Sequence, residues 1–549
     1  MKRTARLFVM LMLLLLLAAC KSTPADGLTK TSAQDYGYPW WNDAVFYQIF
    51  VRSFYDSDGD GIGDFNGIIE KLDYLNDGNP KTDSDLGITG LWLMPITPSP
   101  SYHGYDVTDY KDVNPEYGTM EDFERLIEEC HKRGIVVIID WEINHSSTRH
   151  PWFIAAQDPD SEYHDWYVWS EERPAYKGPW GQDVWHLSSS NGLYYYGIFW
   201  DGMPDLNFEN PDVNDAMLDA IDFWIAEKNV DGIRIDAAAH LIEDGQNQKH
   251  TEATHAWFQD FHQWFRATDA DALAIGEVWD SSIYASRYVA DQSLDMVFNF
   301  DLAGKFMQAA STQYGYAALN ALETELTYFP DFQMGTFLTN HDMARAMTSF
   351  REEVGKAKSA ASMLLTAPGV PFIYYGEEIG MSGGKPDENI RSPMQWDDSK
   401  YAGFTSAAFP WRLPQNDYTE KNVQAQAKDA DSLLNHYRTL IQLREAYPSL
   451  KVGDFYALQT SDPRLFVALR TTEEETILIL INVTEQEIDN YKLSLDQGPL
   501  NGVYTAFDLF NGDELAAAEL TADDNGGFSD YIPYEVLPAY STYILWLAP

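Results

Sequence analysis

The sequence predicts a (β/α)8 barrel, interrupted by an insertion after its third strand and followed by a small antiparallel β domain. Three observations carry that expectation. Eight short apolar runs alternate with helical patterns along most of the 549 residues. Residues 146–205 break the rhythm, with little helical periodicity and many aromatics. From about residue 450 the runs become short and alternating, with turn residues between them.

The chain opens MKRTARLFVMLMLLLLLAAC. Lys2, Arg3 and Arg6 precede an apolar run from Leu7 to Leu17, which fits a secretory leader and is short for a membrane span. The run ends Leu17-Ala18-Ala19-Cys20, which resembles a bacterial lipobox. That resemblance implies a signal peptide over 1–20, a lipid on Cys20, and a protein exported and held on the outside of the cell membrane or released from it. Residues 21–37 are polar and read as a tether. Cys130 is the other cysteine, so with Cys20 lipidated no intrachain disulfide is available.

The barrel is expected over 38–145 and 206–449. Its strand candidates are AVFYQIFV (44–51), GLWLMP (90–95), IVVIID (135–140), DGIRID (231–236), LAIGEV (273–278), MVFNF (296–300), GTFLTN (335–340) and PFIYYG (371–376). MEDFERLIEECHKR (120–133) and VNDAMLDAIDFWIAEKN (213–229) are typical of the helical patterns between them. An open doubly wound sheet is the rival, but no Gly-rich dinucleotide fingerprint follows any strand. Residues 146–205 form the inserted domain. Residues 450–549, with RLFVALR and TILILIN, form a C-terminal β-sandwich domain.

Acidic residues number 85 against 37 Lys and Arg, a net charge of −48. Such a surface repels phosphate backbones, which excludes nucleic acid as a partner, and suits a saline medium, where salt screens self-repulsion. Aromatics make up 14% of the chain. They serve either a large aromatic core or surfaces that stack on sugar rings. A monomer is expected.

In a barrel, chemistry collects at the C-terminal ends of the strands. Those ends carry Asp140, Asn144 and His145 (strand three), Arg234 and Asp236 (four), Glu277 (five), and Asn340, His341 and Asp342 (seven), while strand two leads into Tyr102, His103, Tyr105 and Asp106. A single Asp at a strand end is more often a helix cap. Several charges at one rim are costly unless paired, which leaves a site or a structural ion-pair network. No zinc-spaced Cys/His set, G-x-S-x-G or phosphate loop is present. Carboxylates with aromatics suit glycoside hydrolysis: one ionised carboxylate as nucleophile, one carboxylic acid as proton donor. Arg234 shares a strand face with Asp236 and would keep it ionised; Glu277, between Ile275, Val278 and Trp279, would have a raised pKa.

The ordered motifs DWEINH (140–145), MPDLN (203–207), GIRIDAAAH (232–240), GEVW (276–279) and FLTNHD (337–342) resemble those of the α-amylase superfamily, glycoside hydrolase family 13. GITGLWLMP (87–95) and GVPFIYYGEE (369–378) are similar to two supporting motifs, and the likeness runs from about residue 38 to the C-terminus. It implies Asp236 as nucleophile, Glu277 as general acid/base and Asp342 as transition-state stabiliser. It implies further that Arg234, His145 and His341 hold the sugar, that Tyr105 stacks under it with His103 and Asp140 nearby, and that Arg345 pairs with a carboxylate of the site. DSDGDGIGD (56–64) places Asp56, Asp58 and Asp60 at the first ligand positions of a calcium loop, with Ile62 offering its carbonyl and Asp64 next. An EF-hand would close with Glu at 67, where Gly67 stands. The loop instead resembles the shorter calcium loop of the oligo-1,6-glucosidase side of the superfamily, which implies a structural calcium; a solvated acidic turn is the alternative. MPDLN is similar to the intermediate subfamily, and Ala237 after the expected nucleophile implies α-1,4 bonds. Expected is therefore a retaining α-amylase acting on α-glucans, with an α-glucosidase or neopullulanase-like hydrolase, a glucan transferase and a non-catalytic sugar-binding relative as alternatives.

Overall fold

The computed structural model describes residues 32–290, 292–512 and 517–549. The expected signal peptide, Cys20 and most of the expected tether lie outside the described residues. Among the described residues no helix is long and apolar enough to cross a membrane.

Eight parallel strands close into a barrel in chain order: β1 (Phe46–Ile49), β2 (Gly90–Leu93), β3 (Val136–Trp141), β4 (Gly232–Ile235), β5 (Leu273–Gly276), β6 (Met296–Phe298), β7 (Met334–Thr336) and β8 (Val370–Tyr374). Alternation along each strand divides two cores. Phe46, Trp92, Ile138, Ile275, Phe298 and Phe372 fill the barrel interior. Tyr47, Leu91, Ile139, Ile233 and Ile235 face the surrounding helices. Interior space is tight: a Cβ on Gly90 would come within 2.5 Å of the Phe46 ring, so only glycine fits beside it.

The helices follow from local signals. In the helix Met120–Lys132, Phe123, Leu126, Ile127 and Cys130 form the buried stripe, and Thr119 with Asp122 makes a capping box at its start. Pro211–Asp222 begins at an Asn210 cap with Pro at its first position, then widens into a π-helical turn, Phe223–Glu227.

Within the insertion, Trp169–Ser170, Tyr194–Tyr196 and Trp185–Leu187 form a three-stranded antiparallel sheet. The C-terminal region holds a six-stranded antiparallel sheet built around Leu465–Thr471, Thr476–Asn482 and Thr542–Ala548, and a separate three-stranded one. Leu465–Thr471 is buried on both faces rather than one. Arg470, fully buried on that strand, donates only to backbone carbonyls, among them Thr366 (2.8 Å), Leu450 (3.0 Å) and Gly453 (3.1 Å). Arg444 likewise bonds the carbonyls of Leu365, Ala367 and Gly369. These guanidiniums satisfy backbone groups where the barrel's last strand and helices meet the C-terminal sheet.

Candidate active site

Register builds the floor of the site. β3 and β4 pair so that Asp140 lies beside Arg234, and β4 continues into Asp236. One guanidinium then serves three carboxylates: Arg234 Nη1 lies 2.5 Å from Asp140 and 2.6 Å from Asp236, and Nη2 lies 2.9 Å from Glu277. The bland possibility, a strand ended by an isolated charge pair, does not describe this fork.

Asp342 is held by a different set. Arg391 donates to its Oδ1 at 2.8 Å, and His341 Nε2 lies 3.1 Å from its Oδ2 and 2.6 Å from the Tyr105 hydroxyl. Gln48 contacts the other His341 nitrogen at 2.7 Å. The Tyr105 hydroxyl donates to Asp140 at 3.2 Å, and its ring stacks on His341. His103 accepts from the Tyr105 N–H and stacks on the same ring.

These groups surround a cleft of about 590 Å³. Asp236, Glu277, Asp342, His103, Tyr105 and His145 line it, with Trp180, Phe199, Trp200 and Trp279 as aromatic walls. Asp140, Arg234 and His341 lie directly beneath the lining and are buried. His145 has one ring nitrogen 3.1 Å from the Tyr105 carbonyl, and its Nδ1 has no hydrogen-bond partner among the described residues. Burial pushes its pKa down to about 4, so it is neutral at ordinary pH.

The three carboxylates differ electrostatically. Burial pushes Glu277 up to about 7, opposed by Arg234 and assisted by the charge on Asp236. Burial raises Asp236 to about 6, with Arg234 as the main opposing influence. Burial also acts upward on Asp342, but His341 and then Arg391 outweigh it and hold the carboxyl well below the usual range. One acid thus stays protonated to higher pH than its neighbours, which suits a proton donor beside two carboxylates.

β4 ends in a turn that depends on residue 237. Ala237 adopts left-handed backbone angles (φ 49°, ψ 35°), and its N–H donates to Glu277 at 3.2 Å. The turn therefore ties the end of β4 to the carboxyl delivered by β5.

The family model "Alpha amylase, catalytic domain" matches residues 48–453. The chain belongs to the α-amylase family. Alpha-amylase 3 of Dictyoglomus thermophilum is 41% identical over 467 residues, covering 83% of this chain and 88% of that protein. The oligo-1,6-glucosidase of Parageobacillus thermoglucosidasius is 33% identical over 524 residues, covering 81% and 91%. The crystal structure of the α-amylase from H. orenii superposes with a TM-score of 0.80 at 40% identity, covering 92% of this chain and 99% of that one. As a member of glycoside hydrolase family 13, this α-amylase-family chain is a glycosidase.

One expectation from sequence needs correction. Arg345 pairs with no carboxylate of the cleft: it donates to the carbonyls of Ile390 (2.7 Å) and Tyr375 (2.6 Å), under the rings of Tyr374 and Tyr375. The cation on Asp342 is Arg391, 46 positions further along the chain, on the long segment after β8. Reading strand ends alone misses it, because Arg391 lies on none of them. Gln48 was also missed, and it had a signal, as the one polar residue in AVFYQIFV.

In the acidic loop, ligand oxygens of Asp56, Asp58 and Asp64 lie within 4.8 Å of one another, whereas Asp60 is not in that cluster and accepts instead from the Ile62 N–H. Asp64 doubles as the cap of the helix Phe65–Leu75. Asp56 accepts from the N–H groups of Gly59 and Gly61, the latter at φ 102°, where glycine is required. Burial, together with the charge on Asp58, raises the pKa of Asp64, opposed by hydrogen bonds from Ser57 and Gly67. No Lys or Arg pairs with the three among the described residues. Convergent oxygen donors without a counter-charge fit a hard cation.

Proposed function

We propose that this family 13 glycosidase is an α-amylase that cleaves α-1,4 bonds of starch and maltodextrins with retention of configuration. The observation that carries this reading is the single Arg234 fork between Asp236 and Glu277. Two carboxyls bridged by one guanidinium are held close together, as a retaining pair about 5 Å apart must be, and not at the wider spacing that admits a water between them. Asp236 attacks the anomeric carbon while Glu277 protonates the departing oxygen; Glu277 then activates water to hydrolyse the glycosyl-enzyme ester. Asp342, kept ionised by Arg391 and lying within hydrogen-bonding distance of His341, stabilises positive charge in the oxocarbenium-like transition state. Arg234 and His341 act through the carboxylates they hold, and Tyr105, His103 and His145 contact the sugar. Support for the α-1,4 preference comes from Ala237 and from likeness to proteins named α-amylase. Products from starch, maltotriose, pullulan and cyclodextrin test it. Short linear maltodextrins from starch support the reading. Glucose alone would favour an α-glucosidase, and longer products from maltotriose a transferase.

The pKa order gives a pH dependence. kcat/KM is expected to fall as pH drops through about 6, where Asp236 takes up a proton, and to fall as pH rises through about 7, where Glu277 loses one. A profile flat across both values contradicts the assignment.

We also propose that the loop 56–64 holds a structural calcium, with Asp56, Asp58 and Asp64 as carboxylate ligands and the Ile62 carbonyl completing the set. A bound cation would neutralise three converging carboxylates. Calcium removal by a chelator is expected to lower the thermal midpoint, with recovery on adding calcium back and none in Asp58→Ala. Identical melting with chelator and with calcium would overturn the site. Cys20 is proposed as the lipid attachment point on an exported chain, supported by the leader that precedes it.

A further inference from the structure

Asp342 depends on Arg391, and Arg391 stands on irregular backbone. It follows a single helical turn, Asp387–Ile390, on the segment after β8. It is 4% exposed; its Nε donates to the His341 carbonyl at 3.1 Å and its Nη2 to Asp342 at 2.8 Å. A long side chain keeps two such acceptors together only when its own main chain is held, because each free torsion costs entropy. The main chain here is held through its carbonyls. Arg345 Nε donates to the Ile390 carbonyl at 2.7 Å, and the Tyr374 hydroxyl to the same oxygen at 3.3 Å. The Ser53 hydroxyl donates to the Arg391 carbonyl, and the Tyr375 hydroxyl to the Ser392 carbonyl at 2.7 Å.

Among these anchors Arg345 has a special place, since it lies three residues after Asp342. The chain from Asp342 to Arg345, the bond from Arg345 to Ile390, the peptide on to Arg391 and the ion pair back to Asp342 make a closed ring. Other bonds fix the ring's shape. The Arg345 N–H donates to the Gly383 carbonyl at 2.9 Å, and Nη1 to the Tyr375 carbonyl at 2.6 Å. A Cβ on Gly383 would come within 2.4 Å of the Asn389 carbonyl oxygen, so the segment folds tightly back on itself just where Arg345 grips it. Arg345 is 1% exposed, with its guanidinium 4.4 Å and 4.7 Å from the ring centres of Tyr374 and Tyr375. It does not line the cleft.

We propose that Arg345 is a positioning residue for the cleavage reaction: it fixes the main chain at Ile390 so that Arg391 meets Asp342, and touches no substrate itself. The proposal rests on the α-glucan reading above and on the role given there to Asp342. The rival role is that of Arg444, also fully buried and bonded to carbonyls, which joins the barrel to the C-terminal sheet and has no tie to the cleft.

The test measures kcat and KM on maltoheptaose for wild type, Arg345→Met, Arg345→Lys, Arg391→Gln, the double variant Arg345→Met/Arg391→Gln and Arg444→Met, with circular dichroism and thermal midpoint to confirm folding. Arg345→Met is expected to lower kcat by about 10²-fold, the cost of a small displacement in a charged site, with KM little changed. Arg345→Lys, which can still donate to one carbonyl, is expected to lose less. In the double variant kcat should equal that of Arg391→Gln, because a brace has no effect once the group it holds is gone. Arg444→Met should lower the thermal midpoint and leave kcat as in wild type. Should Arg345→Met not fold, the same cycle is run with Arg345→Lys. A wild-type kcat in the folded Arg345 variant overturns the proposal, as do losses that simply add in the double variant, a wild-type kcat in Arg391→Gln, or an equal fall of kcat in Arg444→Met. Wild-type protein inactive on maltoheptaose would instead refute the α-glucan reading itself.

Discussion

Asp236→Asn, Glu277→Gln and Asp342→Asn are each expected to lower kcat on starch by roughly 10³-fold or more, with folding preserved. Each substitution keeps the side chain's shape and removes its charge or acidity. Arg234 retains two carboxylate partners when either Asp236 or Glu277 is changed, so the floor of the cleft stays paired. The three losses should be distinguishable. Without Asp236 no glycosyl-enzyme ester forms, so no substrate rescues turnover. Without Glu277 an aryl glycoside whose leaving group needs no proton should still glycosylate Asp236, and azide should then release the sugar in place of activated water. Asp342→Asn should respond to neither. Turnover near wild type in any one of them removes that residue's assigned role.

Arg234→Met is expected to cost both stability and activity. The guanidinium is 1% exposed and holds three carboxylates that are themselves buried. Removing it leaves like charges in a site with little water, a cost on the order of 3–5 kcal/mol. The chain can lower that cost by protonating the carboxylates, so the acid limb of kcat/KM should move upward from about 6 as Asp236 loses its main stabilising charge. Arg234→Lys keeps the charge, but a single ammonium lacks the planar fork that reaches Asp140, Asp236 and Glu277 together, so an intermediate loss is expected. Thermal midpoints and pH–rate profiles for both variants check this. An unchanged acid limb in Arg234→Met would mean that the fork does not set the ionisation of Asp236.

Eight barrel strands were legible in the sequence because buried parallel strands are short apolar runs between helical patterns, and their ends name the rim. Asp236 and Arg234 could be read as neighbours from spacing alone, since residues two apart in a strand share a face. Asp140 beside Arg234 required only that β3 and β4 be adjacent. What could not be read were partners brought in by irregular backbone. Arg391 sits 49 residues beyond Asp342 on a segment without periodicity, and Arg345, three residues away, was the nearer and mistaken choice. Ligand spacing likewise does not show which carboxylates of the loop converge: Asp56, Asp58 and Asp64 do, while one Asp60 oxygen accepts from the Ile62 N–H. The two-sided burial of Leu465–Thr471 escaped notice because its alternation is one of size more than of polarity.

The left-handed backbone at Ala237 has a consequence for how this enzyme can diversify. A β-branched residue is strained in that conformation, whereas glycine is relaxed there. The position beside the proposed nucleophile, from which bond preference is read, is thus also one where the main chain restricts the choice of side chain. Lineages that exchange Ala237 for a bulkier residue start from a less stable protein, so such exchanges should accumulate after stabilising substitutions elsewhere, not before them.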